Sequence, residues 1–196
     1  MKKAFIFLFI LFAAMATELQ AQQVTVTTSV SDGVIIVENI LARRSIRKYT
    51  PQQVSRQDLD IIMECAINAP SAMNKQPWQI RVVQNADLLA KIKDLGGNFH
   101  GAPTLIVIAK DKTNGSSDLD CGLLAQNIML SAQALDLGTC ALGSVARTLC
   151  TDKAKDVTAK LDLPANYEPV LCIALGHPDQ SPDAKPRDAK KVKYID

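Results

Sequence analysis

A single domain in which helices cover both faces of a sheet is the architecture this sequence predicts, and three observations carry it. The 196 residues are enough for one well-buried core and short for two. Two continuous apolar runs with β-branched residues, "APTLIVIAK" and "EPVLCIALG", read as interior strands covered on both faces. Segments with helical apolar spacing separate the strand patterns, and that alternation argues for a helix-flanked sheet.

The chain opens with Lys2 and Lys3, an apolar run from Ala4 to Ala16, and a polar stretch that closes on small residues. That is a secretory signal's layout, so residues 1–21 are assigned to a leader. The run is too short for an ordinary membrane span of about 20 residues. No cysteine stands beside Ala16 or Ala21, the candidate cleavage points, to accept a lipid anchor. The expectation is an exported, periplasmic protein without a stable membrane anchor, or a cytoplasmic one if the leader is not a signal.

Residues 22–33 are expected to be a mobile lead-in segment or short strand, broken at Ser31-Asp32-Gly33, before a domain over residues 34–196. Val34 to Ala42 reads as an apolar helix that ends in "RRSIRKYTP". Ser55 with Asp58 resembles a capping box for a helix carrying Leu59, Ile62, Met63 and Ala66 on one face and running into Pro70. The loop "APSAMNKQPWQI" leads to a half-buried strand near Trp78 to Val83. Asn85 then caps a helix with Leu88, Leu89, Ile92 and Leu95 aligned. After the first apolar strand and a polar turn, Asp118 to Asp136 is the longest helical pattern, and Gly138 stands where a C′ glycine belongs. "TCAL" is a short strand, Thr151 to Leu161 a polar helix, and the tail beyond Pro178 has little core character.

Composition excludes several classes of function. With 22 basic and 20 acidic residues the chain is nearly neutral, which leaves no footprint for nucleic acid or a membrane surface. Cys65, Cys121, Cys140, Cys150 and Cys172 are odd in number and form no C-x-x-C pair, so a disulfide framework is not indicated. Four of them fall in apolar patterns as small core residues, and Cys150 falls in a loop. His100 and His177 lie in turns without metal-site spacing, and there is no G-x-S-x-G, P-loop or G-x-G-x-x-G. A nucleophilic triad and a Rossmann-type nicotinamide site are both unsupported.

Polar chemistry remains in three places. "RRSIR", Arg43 to Arg47, packs three guanidinium forks and a hydroxyl into five residues, which suits a phosphate or equally a solvated basic turn. Ser71, Asn74 and Gln76 could read the edge of a heterocycle from a loop stiffened by Pro70 and Pro77, or simply connect helix to strand. Lys185 and Arg187 flank Pro186 in the charged tail.

Read in order, R-R-S-x-R, P-S-x-x-N-x-Q-P-W, "LDLGTCALGSV", "EPVLCIALGHP" and a closing K-P-R resemble the nitroreductase family of FMN-dependent oxidoreductases, from Val34 to Arg187. The resemblance implies an α+β three-layer sandwich with a central mixed sheet flanked by helices. It also implies a homodimer with its C-terminal tail exchanged and FMN at the subunit interface. Arg43, Arg44, Ser45 and Arg47 match the segment that binds flavin phosphate, ribityl and pyrimidine edge. Asn74 matches a hydrogen-bonding partner of the isoalloxazine, and Pro70, Ser71 and Ala72 a stretch that reaches it from the partner subunit. Leu142, Gly143 and Ser144 match the segment near the dimethylbenzene and N5 side, and Lys185 and Arg187 a basic pair at the phosphate. The implied reaction passes hydride from NADH or NADPH through flavin N5 to a small aromatic acceptor such as a nitroaromatic or quinone, by a ping-pong mechanism. No side chain then need be catalytic, because the cofactor carries the chemistry. Relatives that dehalogenate or fragment flavin carry lid residues that this chain lacks. A non-catalytic exported flavin-binding module is a further alternative.

Overall fold

The computed structural model describes residues 30–196. The predicted leader and most of the lead-in segment, residues 1–29, lie outside the described residues. Ile35–Asp196 forms one compact body, and of the stretch before it only the first residues of helix α1 are described. None of the described helices is long and apolar enough to cross a membrane.

Helix α1 is Val30–Ala42, beginning four residues before the expected start, since Gly33 is absorbed into the helix instead of breaking it. Helix α2, Arg56–Ile67, opens on Ser55, whose hydroxyl accepts the Asp58 N–H at 3.0 Å and pairs with the Asp58 carboxylate at 2.6 Å. Strand β1, Trp78–Val83, and helix α3, Ala86–Asp94 with Asn85 as N-cap, stand where the sequence predicts them. Strand β2 is Thr104–Asp111, helix α4 Ser117–Ala134 and strand β3 Gly138–Leu142. Two short helices follow, α5 at Gly143–Leu149 and α6 at Lys155–Ala159, before strand β4 at Tyr167–Gly176. The single polar helix expected over Thr151–Leu161 is therefore a 3-10 turn, Asp152–Ala154, running into α6.

The strands run β1-β2-β4-β3, and every pair of them is antiparallel. Among the described residues the parallel component is one bridge, Ser45 to Thr139, which lays the arginine segment along the free edge of β3. Alternation along the strands splits the core between two faces. Ile106, Ile108, Ile173 and Leu175 meet α2 and α4, whereas Leu105, Val107, Cys172 and Ala174 meet α3, α5 and α6. The result is a helix-sheet-helix sandwich.

Gly138 does not close α4 as predicted. Asp136 takes the left-handed turn, with φ 56°, and Gly138 begins β3. A side chain at Gly138 would meet Ile46, whose Cβ and Cγ1 lie 2.9 and 2.8 Å from an added Cβ. The missing side chain is what lets the arginine segment dock. Cys121, Cys140 and Cys172 are core residues, but Cys65 is only half-buried.

Candidate functional site

Backbone pairing and a tyrosine hydroxyl hold the segment from Arg43 to Thr50. The Ile46 N–H donates to Thr139 O at 2.8 Å, Thr50 N–H to His177 O at 3.0 Å, and the Tyr49 hydroxyl to Ile46 O at 2.7 Å. Burial pushes the Tyr49 hydroxyl well above its ordinary pKa, so it stays a neutral donor. On the far side, Asp179 N–H donates to Lys48 O at 2.9 Å, and the Lys48 and Asp179 side chains pair at 3.0 Å. This pairing turns the tail back over the arginines. Arg43, Arg44, Ser45 and Arg47 thereby share a pocket of about 110 Å³ with Pro182, Asp183, Lys185 and Arg187. Six of the predicted residues converge, and five of those are cations against the single carboxylate of Asp183.

The cations have different duties. Arg44 Nη1 donates to Leu41 O at 2.6 Å and Arg43 O at 3.0 Å, closing the carbonyl end of α1. Arg187 donates to Lys185 O at 3.2 Å, which shapes the tail. Arg43 differs, because its Nη1 is buried and has no hydrogen-bond partner among the described residues. A buried guanidinium N–H with no acceptor is costly, and an anionic oxygen that came within reach of it would relieve that cost. Arg47 also acts on His100, whose pKa is lowered by burial first and by the Arg47 charge second. Cys140 lies beneath, its thiol pKa raised by burial against the opposing pull of Arg47 and Arg43.

Leu142, Gly143 and Ser144 occupy the end of β3 and the start of α5 on the same sheet edge. Thr139, which pairs with Ser45, and Leu142 are three residues apart, about 10 Å along a strand. The parallel register carries Arg47 toward the Leu142 end and leaves Arg43 at the other.

The loop after α2 is a strained turn. Met73, Asn74 and Gln76 have φ of 53°, 53° and 46°, a region that non-glycine residues rarely enter. Ser71 differs from expectation, since its hydroxyl accepts the Gln76 N–H at 3.0 Å and so closes the loop. Asn74 Oδ1 likewise accepts from Gln76 Nε2 at 3.2 Å. What the loop offers outward is the Asn74 amide N–H group, the backbone, and Met73, which is 81% exposed. Trp78 is buried and anchors the strand behind it.

The loop and the arginine pocket are not brought together within one chain. Ala72 N–H donates to the Asp120 carboxylate near the start of α4. Arg44 and Ala42 adjoin Gln133 and Asp136 at the end of α4. Thirteen residues separate Asp120 from Gln133, about 20 Å of helix. Asp120, Tyr49 and Asp183 are site residues that sequence reasoning missed; Asp120 left a trace only as one of two acidic residues opening α4.

A family model described as "Nitroreductase family" matches residues 40–96 and 95–177. A protein of Methanothermobacter thermautotrophicus named a putative NADH dehydrogenase/NAD(P)H nitroreductase is 31% identical over 84% of this chain and 90% of its own length. The crystal structure of a Desulfitobacterium hafniense nitroreductase with bound FMN superposes with a TM-score of 0.76 at 28% identity, over 82% of this chain and 98% of that one. The crystal structure of a Desulfovibrio desulfuricans putative nitroreductase in complex with FMN gives a TM-score of 0.71 at 29% identity, over 82% and 96%.

Proposed function

Because the chain belongs to the nitroreductase family, we propose that its convergent cations and its strained loop are two halves of one FMN site, completed between two copies. The protein is an FMN-dependent oxidoreductase that draws on NADH or NADPH. When bound, FMN supplies two-electron transfer from the nicotinamide to an oxidised acceptor.

The observation that carries the site assignment is the meeting of Arg43, Arg44, Arg47, Lys185 and Arg187 in one pocket, with Arg43 Nη1 buried and without a hydrogen-bond partner among the described residues. Arg43, Lys185 and Arg187 would hold the phosphate, with Ser45 adding a hydroxyl. Arg47, level with the end of β3, would set positive charge toward the ring and favour an anionic reduced state. Leu142, Gly143 and Ser144, on the same edge, would lie beside the ring. Pro70, Ser71, Ala72 and Asn74 of a second copy would close the other face with backbone and amide groups. Alternate binding of nicotinamide and a nitroaromatic or quinone at one face makes the reaction ping-pong.

An apolar surface supports the second copy. Ile35, Ile36, Val37, Ile40 and Leu41 of α1 are 48–69% exposed, and Leu119 and Leu123 stand out from α4. A groove of about 470 Å³ runs between α1, α2 and α4, lined by Ile35, Ile36, Ile40 and Leu130 among others. Exposed apolar area on this scale marks an interface. Val192, Tyr194 and Ile195 of the tail are 64–82% exposed, which fits an end that crosses to the partner. The basic, apolar and small-residue layout of residues 1–21 keeps export within this reading, and N-terminal sequencing of the mature protein tests that part.

The test of the shared site is Ile40→Asp, read by analytical ultracentrifugation and FMN fluorescence quenching. Wild type should sediment as a dimer with one FMN per chain. The variant should be monomeric and lose most of its affinity; a monomer that binds FMN as tightly as wild type would refute a shared site.

A further inference from the structure

We propose that Asp120 is the positioning residue of this site, fixing the 70–76 loop in the shape that a flavin ring would meet. Asp120 is only 2% exposed. Both of its carboxylate oxygens accept the same N–H, that of Ala72, at 3.3 Å. Every other hydrogen bond of residues 70–76 among the described residues stays within the loop or its junction with Trp78. Pro77, at the junction with β1, accepts the Asp111 N–H at 3.0 Å; within residues 70–76 the Ala72–Asp120 contact is the one hydrogen-bonded tether to a separate element among the described residues.

That element cannot easily yield. Asp120 N–H donates to Ser116 O at 3.0 Å, and the neighbouring Cys121 and Leu124 are in the core. A carboxylate in the first turns of α4 also suits the positive end of the helix. On the loop side, three residues with positive φ lie within five positions of Ser71, a conformation that persists only where its surroundings impose it. An anchor at Ala72, the first residue of the 3-10 turn, stands where such constraint is needed. The consequence for the cofactor rests on the flavin reading above; the tether itself does not.

Trypsin reports the tether without any flavin, because exposed Lys75 lies inside the loop. The fragment cut after Lys75 is followed by mass, beside FMN affinity from fluorescence quenching, in the full chain. Asp120→Ala should speed that cut and weaken FMN binding, each about tenfold or more, the effect of one charge-assisted hydrogen bond. Asp120→Asn keeps an acceptor oxygen and should stay within about threefold of wild type in both. Asp118→Asn removes a carboxylate from the same helix end and should change neither. Ala72→Pro deletes the N–H while leaving Asp120 in place; Ser71, at ψ 154°, already has the extended shape a residue before proline requires. It should match Asp120→Ala in cleavage even if that variant folds poorly. Cleavage at the wild-type rate in Ala72→Pro, or equal acceleration by Asp118→Asn, overturns the tether. Faster cleavage with unchanged FMN affinity overturns the positioning role. Wild type that shows the cleavage pattern but binds no FMN sinks the flavin reading and leaves the tether standing.

Discussion

Replacing Arg43 with alanine should weaken FMN binding and yet leave the flavin-free protein no less stable. Arg43 Nη1 is buried without a partner among the described residues, whereas Arg44 Nη1 already bonds two carbonyls at 2.6 and 3.0 Å. Hydrogen bonds to charged groups contribute about 1.5–3 kcal/mol. At 1.4 kcal/mol per tenfold, Arg43→Ala should therefore raise the FMN dissociation constant about 10- to 100-fold. An unsatisfied buried donor costs about 1–3 kcal/mol, so its removal offsets the lost packing of the arginine stem. Arg44→Ala should show the reverse balance, a lower melting temperature from the unclosed α1 terminus and a smaller loss of affinity. The assay pairs fluorescence quenching with thermal melting of the flavin-free protein. Wild-type affinity in Arg43→Ala, together with a melting temperature lowered as far as in Arg44→Ala, would show that Arg43 is a structural residue and that its orphaned donor carries no functional meaning.

Gly138→Ala should destabilise the fold by about 1–3 kcal/mol in denaturant titration, as overpacking does, and should weaken FMN binding as well, because it presses Ile46 and the arginine segment away from β3. Burial and the Arg47 charge lower the His100 pKa in the folded state, so the unfolded chain takes up its proton first. Stability should hold above about pH 6.5 and decline below it toward the folded pKa. His100→Asn, which tolerates the local φ of 59°, should flatten that limb of the melting profile. Cys121 and Cys172, whose thiols burial pushes up to about 12, should resist maleimide in the native protein. Exposed Cys150 should react first, as peptide mass mapping would show.

Much of the scaffold was legible because local signals agreed with the global fold. Trp78–Val83 alternates and starts on an aromatic, and Asn85 caps α3 through a bond to Leu88 N–H at 2.9 Å. Features that depend on a distant neighbour were not legible. Gly138 resembles a helix terminator in sequence, yet what requires it is Ile46, far away in the chain. Cys65 sits in an apolar helix pattern but on the flank facing the groove beside α1. For the site, the basic character of Arg43–Arg47 and of Lys185 with Arg187 was readable, but their meeting depends on the Asp179–Lys48 pairing that folds the tail back. Ser71 reads as a free hydroxyl until the turn closes on it, and Asp120 reads as a helix-start acid until Ala72 is placed against it.

Flavin reduction is tested most directly by an anaerobic visible titration of the purified, FMN-loaded protein with NADH and with NADPH. The protein should be yellow, with flavin absorbance that at least one of the two nucleotides bleaches and that a quinone or nitroaromatic restores. A protein that stays colourless after incubation with FMN, or whose bound flavin remains oxidised with both nucleotides, would contradict the FMN-dependent function.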